Sequence, residues 1–522
     1  MAFLLVWDES VSHGSEPARP NPPPLFLMNT TQTSRRTFLR GTLAGAAGLA
    51  TLPAWAKPIG ANGDVRVAVI GFKSRGSGHI SSLLKIKGVR LVALCDVDSD
   101  VLDKKVAELA KKDIKVKAYK DFRECCADPD IDAITIATPN HSHTLIALTG
   151  LANGKHVYVE KPVSHNIWEG RKLVEAAAIA AKKGLVTQHG MQRRSDLGWA
   201  AAMEWVKAGH IGKVTMSRGI NFKARQSIGK VAAPVAPPAT VDYKLWSAPR
   251  TELPINREKF HYDWHWQWAY GNGDIGNQGP HQLDVARWAL GNPDRLPIRV
   301  MSFGGRWGYD DDGQTANNQM AYYDYPGNAP LLFDNRGLPM KDMNWTKGFE
   351  PVFRINGKTA APRIGNVIHC EGGFVAESKA YDNDGKAIEK FDNFQDGPDH
   401  MLNFIESVRA GKITKDVLHV AHGHHAAALA HMANVSYRLG KKLSTGEVKE
   451  RLSASKAAQD TLADFFANLE ANQIDLSKDL PAAGPWLEFD PATEKFVGEF
   501  ADEANKIAMG DYASGFELPT IS

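Results

Sequence analysis

The chain has 522 residues and a formal net charge of +3, with 43% hydrophobic and 23% charged residues. This length is enough for two or three domains of ordinary size, and the composition is that of a soluble globular protein. The near balance of charge argues against a nucleic-acid partner, and no apolar run reaches the roughly 18 residues that a membrane-spanning helix needs.

The first predicted element is an export signal. Residues 34–40 (SRRTFLR) resemble the twin-arginine export motif, including Phe and Leu after the arginine pair. A weakly apolar stretch rich in Ala and Gly follows, and residues 54–56 have the A-x-A pattern of a cleavage site. The alternative is an amphipathic N-terminal helix with a chance arginine pair. We predict residues 1–56 to be an upstream extension with a twin-arginine (Tat) signal peptide, and the mature protein to be periplasmic or otherwise exported.

The cysteines fit folding in a reducing compartment before such export. Cys95, Cys125, Cys126 and Cys370 form neither a C-x-x-C pair nor a Cys/His metal spacing. Adjacent cysteines such as Cys125 and Cys126 do not easily pair with each other. We therefore predict neither a disulfide framework nor a zinc site.

A buried parallel strand is predicted over residues 65–71, because this segment (VRVAVIG) is rich in β-branched residues. The turn after it, GFKSRG, has glycine at the first and third places of the dinucleotide fingerprint G-x-G-x-x-G, but lysine at the second. That second glycine normally lets the backbone approach the pyrophosphate, so the side chains of the turn must supply contacts of their own. We predict that the turn binds the cofactor through Gly71, Phe72, Lys73, Ser74, Arg75 and Gly76.

The second predicted strand, residues 89–95, ends at Asp96, about twenty residues after Gly76. A carboxylate at this spacing binds the ribose hydroxyls of the adenosine and repels the 2′-phosphate of NADP. The alternative is an aspartate that caps the next helix. The spacing predicts NAD, with NADP the weaker candidate.

Strands and helices continue to alternate after this point. We predict strands over residues 131–137, 156–159 and 185–187, and helices over residues 144–153 and 168–183. Such alternation is typical of a doubly wound parallel sheet, in which ligands bind at the carboxyl ends of the strands. Residues 138–143, 160–162 and 188–192 follow strand ends, so we expect them to converge on one crevice. These elements predict a Rossmann domain over residues 57–190.

Two signatures in this sequence resemble those of a known family. Residues 160–162 (EKP) look like the E-K-P signature of the Gfo/Idh/MocA oxidoreductases, and Thr138, Pro139 and Asn140 with His143 are similar to that family's loop over the cofactor. Residues 277–288 (NQGPHQLDVARW) resemble the family's second signature, D-x-G-x-H-x-x-D-x-x-x-W, with Asn277 in place of the first Asp. The resemblance covers about residues 64–450.

The resemblance implies a fold and a class of activity. The fold is an N-terminal Rossmann doubly wound domain plus a C-terminal α/β domain with a large, mainly antiparallel open sheet, here over residues 191–450. The family expectation is a homo-oligomer that packs through this sheet. Residues 451–522 resemble a C-terminal extension of exported members. The implied activity is nicotinamide-dependent oxidation of a secondary hydroxyl in a sugar, glycoside or cyclitol.

The resemblance also implies roles for individual side chains. Lys161 would hydrogen-bond the reacting hydroxyl and lower its pKa, His281 would be the general base, and Glu160 would contact the nicotinamide ribose. Glu160 and Lys161 are both predicted to bind the cofactor. Asn277 can orient His281 but cannot offset the charge of an imidazolium. Either His281 therefore works with a lowered pKa, or another carboxylate compensates, for which the candidates are Asp263, Asp274 and Asp284. Asp284 is otherwise expected to be structural.

The segment before the second signature, residues 260–268 (FHYDWHWQW), is unusually aromatic. Aromatic faces pack on sugar rings, and polar side chains between them bind hydroxyls. The alternative is a core or oligomer-interface segment, and for His189 pocket lining and packing are both open. The predicted substrate residues are His189, Gln192, Trp264, His265, Asp274 and His281. The spacing of His261, Asp263 and His265 also permits a metal site, but a sugar-binding face is the stronger interpretation, and we predict no metal.

Three functions remain open from the sequence. The first is an oxidoreductase on a sugar or polyol, with NAD bound tightly because the periplasm offers little free NAD. The second is a redox-neutral glycosidase, which oxidises a sugar hydroxyl transiently, eliminates the aglycone, adds water and reduces again. The third is a non-catalytic sugar-binding relative. Neither a nucleic-acid partner nor stable membrane insertion is expected.

Overall fold

The computed structural model describes residues 63–339, 354–355, 358–359, 364–377, 379–392, 399–453 and 456–521. The predicted twin-arginine motif at residues 34–40 and the cleavage pattern at residues 54–56 lie outside these ranges. Among the described residues, no helix combines the length and apolar character needed to cross a membrane. Cys95, Cys125, Cys126 and Cys370 are all free and buried.

A parallel six-stranded sheet forms the first part of the fold. Its strands are β1 (Val65–Ile70), β2 (Val89–Cys95), β3 (Lys117–Tyr119), β4 (Ala133–Ile136), β5 (His156–Val159) and β6 (Thr187–His189), in the spatial order β3-β2-β1-β4-β5-β6. The helices between them are α1 (Arg75–Leu83), α2 (Ser99–Ala110), α3 (Phe122–Ala127), α4 (His143–Ala152) and α5 (Ile167–Ala181). The strand order reverses between β1 and β4, which opens a crevice at their carboxyl ends.

The predicted strands and helices of this sheet are confirmed to within about two residues at most ends. The last strand overlaps its prediction least: we predict residues 185–187, and the structure has Thr187–His189, so the whole strand is shifted by two residues. Leu185 and Val186 are buried and apolar, which attracted the prediction, but the ladder with β5 begins only where Thr187 pairs with Val157.

A second, larger sheet follows and is mainly antiparallel. Its long central strands are β7 (Val214–Phe222), β8 (Arg299–Gly305), β9 (Asn318–Asp324), β10 (Leu331–Arg336) and β13 (Ile364–Cys370), and its shorter strands are β14 (Gly373–Ala376), β15 (Lys379–Asp382), β16 (Ala387–Lys390), β17 (Lys441–Lys442), β18 (Ala482–Ala483), β19 (Leu487–Asp490) and β20 (Lys495–Val497). Strands β7 and β10 pair in parallel, whereas the other pairs are antiparallel. A separate two-stranded ribbon consists of β11 (Arg354–Ile355) and β12 (Lys358–Thr359). The predicted fold class is confirmed.

Helices cover both faces of the central strands of this sheet. The remaining helices are α6 (Leu197–Lys207), α7 (Tyr243–Ser247), α8 (Gly273–Asn277), α9 (Gly279–Ala289), α10 (His400–Ala410), α11 (Val420–Arg438), α12 (Thr445–Arg451), α13 (Lys456–Ala471) and α14 (Ala501–Met509). On one face, Leu283 of α9 and Leu429 of α11 belong to the same buried cluster as Phe333 of β10. On the other face, Phe465 of α13 packs with Phe303 of β8.

Two segments from late in the chain complete the first sheet rather than the second. Phe404 and Ile405 of α10 share a buried cluster with Val65 of β1. Near the C-terminus, Phe516 and Ile521 join the cluster on the opposite face of the same sheet. A parallel sheet needs apolar cover on both faces, so these late segments belong to the same unit as the first sheet.

Candidate active site

A cavity of about 380 Å³ lies where the carboxyl ends of β1, β2, β4 and β5 meet the second half of the chain. Its lining includes most of the predicted site residues: Gly71, Phe72, Lys73, Ser74, Arg75, Asp96, Thr138, Pro139, Asn140, His143, Glu160, Lys161, Gln192, Trp264, His265, Asn277 and His281. Because the carboxyl ends of parallel strands meet at one edge, side chains far apart in the sequence share this crevice.

The fingerprint turn depends on its two glycines. Gly71 has a φ of +76°, and a Cβ there would lie 2.7 Å from the methyl group of Thr138. A Cβ at Gly76 would overlap the carbonyl oxygen of Gly71. Both positions therefore require glycine, whereas the exposed Lys73 side chain occupies open space at the second place of the motif. The turn keeps its shape without the middle glycine.

Asp96 is tied to this turn. Its carboxylate accepts a hydrogen bond from the backbone N–H of Phe72 at 3.3 Å and one from the N–H of Asp98 at 3.1 Å. Burial raises the pKa of Asp96 to about 6, against the opposing effect of these two N–H groups. The carboxylate therefore stands at the carboxyl end of β2 beside the fingerprint, as the spacing predicts.

The loop after β4 provides a further test of whether a dinucleotide fits. Asn140 is buried in the cavity wall, and its side-chain nitrogen has no hydrogen-bond partner within the described part of the chain. His143 holds the loop in place, since its ring nitrogens contact the carbonyls of Pro162 and Thr138, each at 2.7 Å. The residues present fit a dinucleotide. The turn with Gly71 and Gly76 suits its pyrophosphate, Asp96 suits its ribose, and the amide of Asn140 is a further hydrogen-bond donor.

Glu160 is the centre of a charged cluster at the end of β5. Its Oε1 accepts hydrogen bonds from Arg75 at 2.8 Å and from Gln192 at 3.0 Å, and it contacts His79 Nε2 at 3.0 Å. Burial alone would raise the pKa of Glu160, but His79 and Arg75 hold it well below its usual range. The sequence analysis missed His79 because it lies on α1, where no motif marks it.

Lys161 is held by Asn277. The Nζ atom donates to the backbone carbonyl of Asn277 at 2.6 Å and lies 3.4 Å from its side-chain oxygen. Burial lowers the pKa of Lys161, and the positive charges of Arg75 and Arg225 add to this, while Glu160 opposes it. A larger fraction of the amine is therefore neutral than for an exposed lysine.

His281 lies in the same cavity but has a different environment. Burial, together with the neighbouring Lys161, lowers the pKa of His281 to about 3. Among the described residues, no side chain hydrogen-bonds its ring. The expectation that Asn277 orients His281 is therefore wrong, because Asn277 contacts Lys161 instead. Of the two alternatives left open by the sequence, the lowered pKa is the one that agrees with the structure.

The structure also corrects two predicted substrate residues. His189 is fully buried: its Nε2 contacts the carbonyl of Val417 at 2.8 Å, and its Nδ1 accepts from the backbone N–H of Met191 at 3.0 Å. Asp274 is also buried, and both its oxygens are held by Arg225, at 2.6 and 3.0 Å. Neither side chain lines the cavity, because each has its hydrogen-bonding atoms engaged in the interior.

The aromatic segment is divided between the cavity and the core. Residues Asp263–Trp266 form a 3-10 helix rather than a strand, so alternate side chains do not share a face. Trp264 and His265 stack with ring centres 3.7 Å apart and line the cavity. Trp264 also belongs to the buried cluster that contains Phe260, which does not line the cavity. His265 Nδ1 lies 2.6 Å from the carbonyl of Tyr262, and burial lowers its pKa to about 3. Its neutral ring therefore keeps Nε2 as a hydrogen-bond acceptor.

The three residues with metal-like spacing do not converge. His261 Nε2 lies 2.8 Å from Asp98 Oδ2, at the carboxyl end of β2, while Asp263 belongs to the 3-10 helix. Within the described ranges, no group of three His, Cys, Asp or Glu side chains is arranged to hold a metal ion. His261 instead ties the aromatic segment to the end of the cavity where Asp96 lies.

A strap formed by residues 240–246 crosses the same end of the cavity, and the sequence analysis did not foresee it. Ser99 N–H donates to the carbonyl of Thr240 at 2.9 Å, and Asp242 N–H donates to the carbonyl of Val97 at 3.1 Å. Leu245 and Trp246 follow in α7 and line the cavity. Residues about 145 positions away from β2 therefore border the end of the crevice where Asp96 lies.

Comparison with known proteins adds an independent observation. Residues 65–189 match the oxidoreductase family with an NAD-binding Rossmann fold, and residues 202–332 match its C-terminal alpha/beta domain. Inositol 2-dehydrogenase/D-chiro-inositol 3-dehydrogenase of Lacticaseibacillus casei is 32% identical over 308 residues, which are 55% of this chain and 80% of that protein. The chain belongs to the Gfo/Idh/MocA oxidoreductase family. Its first domain is accordingly the family's NAD-binding Rossmann domain.

Other Gfo/Idh/MocA relatives match shorter parts of the chain. Inositol 2-dehydrogenase of Salmonella typhimurium is 29% identical over 161 residues. The match covers 31% of this chain and only 46% of the length of that protein. A glycosyl hydrolase family 109 protein of Streptomyces niveus is 37% identical over 123 residues, 23% of this chain and 25% of that protein. An oxidoreductase domain protein of Kribbella flavida shares the fold, with a TM-score of 0.51, 18% identity and coverage of 71% of this chain and 96% of that one.

We expect Asp96→Asn to reduce the preference for NAD over NADP. The amide keeps one acceptor for the ribose but no longer repels a 2′-phosphate, so NAD binding should weaken about tenfold. Because Asp96 in the free protein has a pKa of about 6, wild-type NAD affinity should fall as the pH drops through that value. The variant should lack this fall. Titration of both dinucleotides at pH 5 and pH 8, by calorimetry, measures each effect.

Asp103→Asn, an exposed change on α2, is the matched control and should bind as the wild type does. An unchanged preference in Asp96→Asn would remove Asp96 from the ribose site.

Proposed function

We propose that the protein is an NAD-dependent oxidoreductase that takes a hydride from a secondary hydroxyl of a sugar, glycoside or cyclitol. The observation that carries this proposal is the position of Lys161, whose Nζ is fixed by Asn277 in the cavity that also contains the fingerprint turn. The relatives named as inositol dehydrogenases support the class of substrate. Bound NAD supplies the hydride acceptor, and the protein must remove the hydroxyl proton.

Lys161 is the better candidate for the base. A secondary alcohol is far too weak an acid to ionise at neutral pH, so a base must take its proton as the hydride leaves. Burial lowers the pKa of Lys161, which makes its neutral form easier to reach than that of an exposed lysine, and the two oxygens of Asn277 orient its Nζ. Burial lowers the pKa of His281 to about 3, so its ring is the weaker base of the two. We therefore assign proton abstraction to Lys161 and hydrogen bonding of the same hydroxyl to His281.

The remaining walls of the cavity suit a polyhydroxylated ring. The stacked pair of Trp264 and His265 lines the same cavity as Lys161, and an aromatic face packs well on the C–H face of a sugar. His265 Nε2 is free to accept from a ring hydroxyl, because Nδ1 already donates to Tyr262. Arg225 is paired with Asp274 and donates to the Tyr262 hydroxyl at 3.1 Å. This hydrogen bond holds Tyr262, which also lines the cavity.

We also propose that NAD stays bound through turnover. The strap at residues 240–246 and the contact of His261 with Asp98 cover the adenosine side of the cavity. A covered cofactor leaves slowly, since its release requires these contacts to open. Retention fits the predicted export signal, because an exported enzyme would meet little free NAD.

A redox-neutral glycosidase is the second candidate, favoured by the similarity to glycosyl hydrolase family 109 proteins. In that reaction the hydride returns to the same sugar after the aglycone has left and water has been added. The same lysine would serve, because the first step is the same oxidation of a hydroxyl. The two candidates differ in their net products rather than in their first step.

An assay with cyclitols, monosaccharides and 4-nitrophenyl glycosides separates these functions. We expect substrate-dependent formation of NADH with at least one cyclitol or sugar, and no net release of 4-nitrophenol. Release of 4-nitrophenol without lasting NADH would instead support the glycosidase. If NAD-loaded protein did neither but bound sugars, the oxidoreductase proposal would be overturned in favour of a sugar-binding relative.

A further inference from the structure

A second cavity, of about 340 Å³, lies apart from the first and shares no lining residue with it. It is enclosed by Trp268 and Asn272, by the last turns of α11, and by residues 506–511 at the end of α14. Its volume is within the range of small-molecule binding sites, which begins at about 300 Å³. The C-terminal segment of the chain therefore forms one wall of a ligand-sized space.

Two buried side chains in its wall have unused hydrogen-bonding atoms. His431, 3% exposed, contacts the carbonyl of Ser164 through Nε2 at 3.1 Å, and burial lowers its pKa to about 3. Its neutral ring thus leaves Nδ1 as an acceptor, and no described residue donates to it. Arg250, 7% exposed, donates to the carbonyl of Asp511 at 2.6 Å and to Glu169, but its Nε has no described partner. Buried polar atoms are usually hydrogen-bonded, so this wall holds one donor and one acceptor whose partners are not among the described residues.

The rim of the cavity carries excess positive charge. Arg438 and Lys506 are exposed and make no ion pair within the described ranges, whereas Asp511 is the one carboxylate among the described lining residues. Arg250 is already balanced by its ion pair with Glu169. Two cations against one carboxylate favour a ligand with a negative group. The Arg438 guanidinium lies 5.1 Å from the ring centre of Trp268, so the charge and an aromatic surface are adjacent.

We propose that this cavity is a second binding site for an anionic sugar. The sugar ring packs against Trp268, and one of its hydroxyls accepts from Arg250 Nε and donates to His431 Nδ1. Its carboxylate or phosphate lies between Arg438 and Lys506. The site is independent of the proposed oxidation, because none of its groups belongs to the cavity that contains Lys161.

Calorimetric titration of the full chain with D-glucuronate, D-glucose 6-phosphate and D-glucose tests the site. We expect at least one anionic sugar to bind with a dissociation constant in the millimolar range, and glucose to bind about tenfold more weakly. The double variant Arg438→Gln, Lys506→Gln should weaken anionic-sugar binding at least about tenfold. Tighter binding of glucuronate assigns a carboxylate, and tighter binding of glucose 6-phosphate assigns a phosphate.

Two controls separate this site from the rest of the molecule. The double variant Lys441→Gln, Lys449→Gln removes two exposed charges elsewhere and should bind as the wild type does. Lys161→Ala should also leave this binding unchanged, whatever it does to turnover. The proposal is overturned if no anionic sugar binds at about 10 mM, if glucose binds equally well, or if the Arg438/Lys506 double variant binds like the wild type.

Discussion

Replacing Lys161 by alanine is expected to lower kcat about a thousandfold, the usual loss when a general base is removed. The NAD(H) content of the purified protein should remain that of the wild type. The cofactor contacts we assign belong to the fingerprint turn, Asp96 and Asn140, whereas Lys161 Nζ is held by Asn277 on the substrate side. The measurements are steady-state turnover, and NAD(H) released by denaturation and quantified by absorbance and mass spectrometry.

Lys161→Met is the matched variant, because it keeps the apolar stem and removes only the amine. It should lose as much activity as Lys161→Ala, which would exclude a packing defect as the cause. The control Lys73→Ala should show the opposite pattern, with weaker NAD binding and little change in kcat at saturating NAD. If Lys161→Ala kept activity within tenfold of the wild type, the proton would have to be taken by another group.

The second large effect concerns the ion pair between Arg194 and Asp284. Both side chains are buried, and two hydrogen bonds of 2.7 Å join the guanidinium to the two carboxylate oxygens. Asp284→Ala would leave Arg194 charged and unpaired in the interior, so we expect a loss of about 3–5 kcal/mol in the free energy of unfolding. Urea denaturation followed by circular dichroism measures it. Glu108→Ala, which removes an exposed partner of Lys105, should leave the free energy of unfolding close to that of the wild type.

The pH dependence of this pair follows from the same contacts. Burial alone would raise the pKa of Asp284, but the charge and hydrogen bonds of Arg194 outweigh it and lower the pKa below its ordinary value of 3.8. The stabilisation is therefore present above about pH 4 and is lost as the pH falls through the lowered pKa. The stability difference between wild type and Asp284→Ala should stay constant from pH 5 to pH 8. A difference that disappeared within that range would contradict the assignment.

Much of the first domain could be predicted because the sequence patterns that identify it lie within short segments of the chain. The strand before Gly71, the spacing to Asp96 and the position of Lys161 after β5 each follow from a short segment and from the common edge of a parallel sheet. The same rule failed at His189, which does end a strand. A strand end places the backbone at the crevice, but the direction of the side chain depends on the alternation along the strand and on what packs beside it.

The contacts that the sequence did not reveal all join distant parts of the chain. His79 meets Glu160 across 81 positions, Asn277 meets Lys161 across 116, and α10 returns to cover β1. No periodicity or motif encodes such contacts, because they depend on how the two halves pack together. The Asn at position 277 shows the effect: as a motif residue it pointed to His281, whereas in three dimensions its oxygens face Lys161.

Helix α13 covers the face of the large sheet opposite α9 and α11, and this has a consequence for assembly. Across β8, β9 and β10, α9 and α11 occupy one side, and α13 occupies the other with Leu462, Phe465 and Leu469. These strands are thus the middle layer of a sandwich made by a single chain, and their side chains are not available to another subunit. A symmetric dimer built face to face on these strands would require α13 to be displaced first. Copies of this protein that associate here would meet through the outer surface of α13, where Asp460, Ala463, Ala467 and Glu470 are exposed. Contacts of the two carboxylates there would be salt-sensitive.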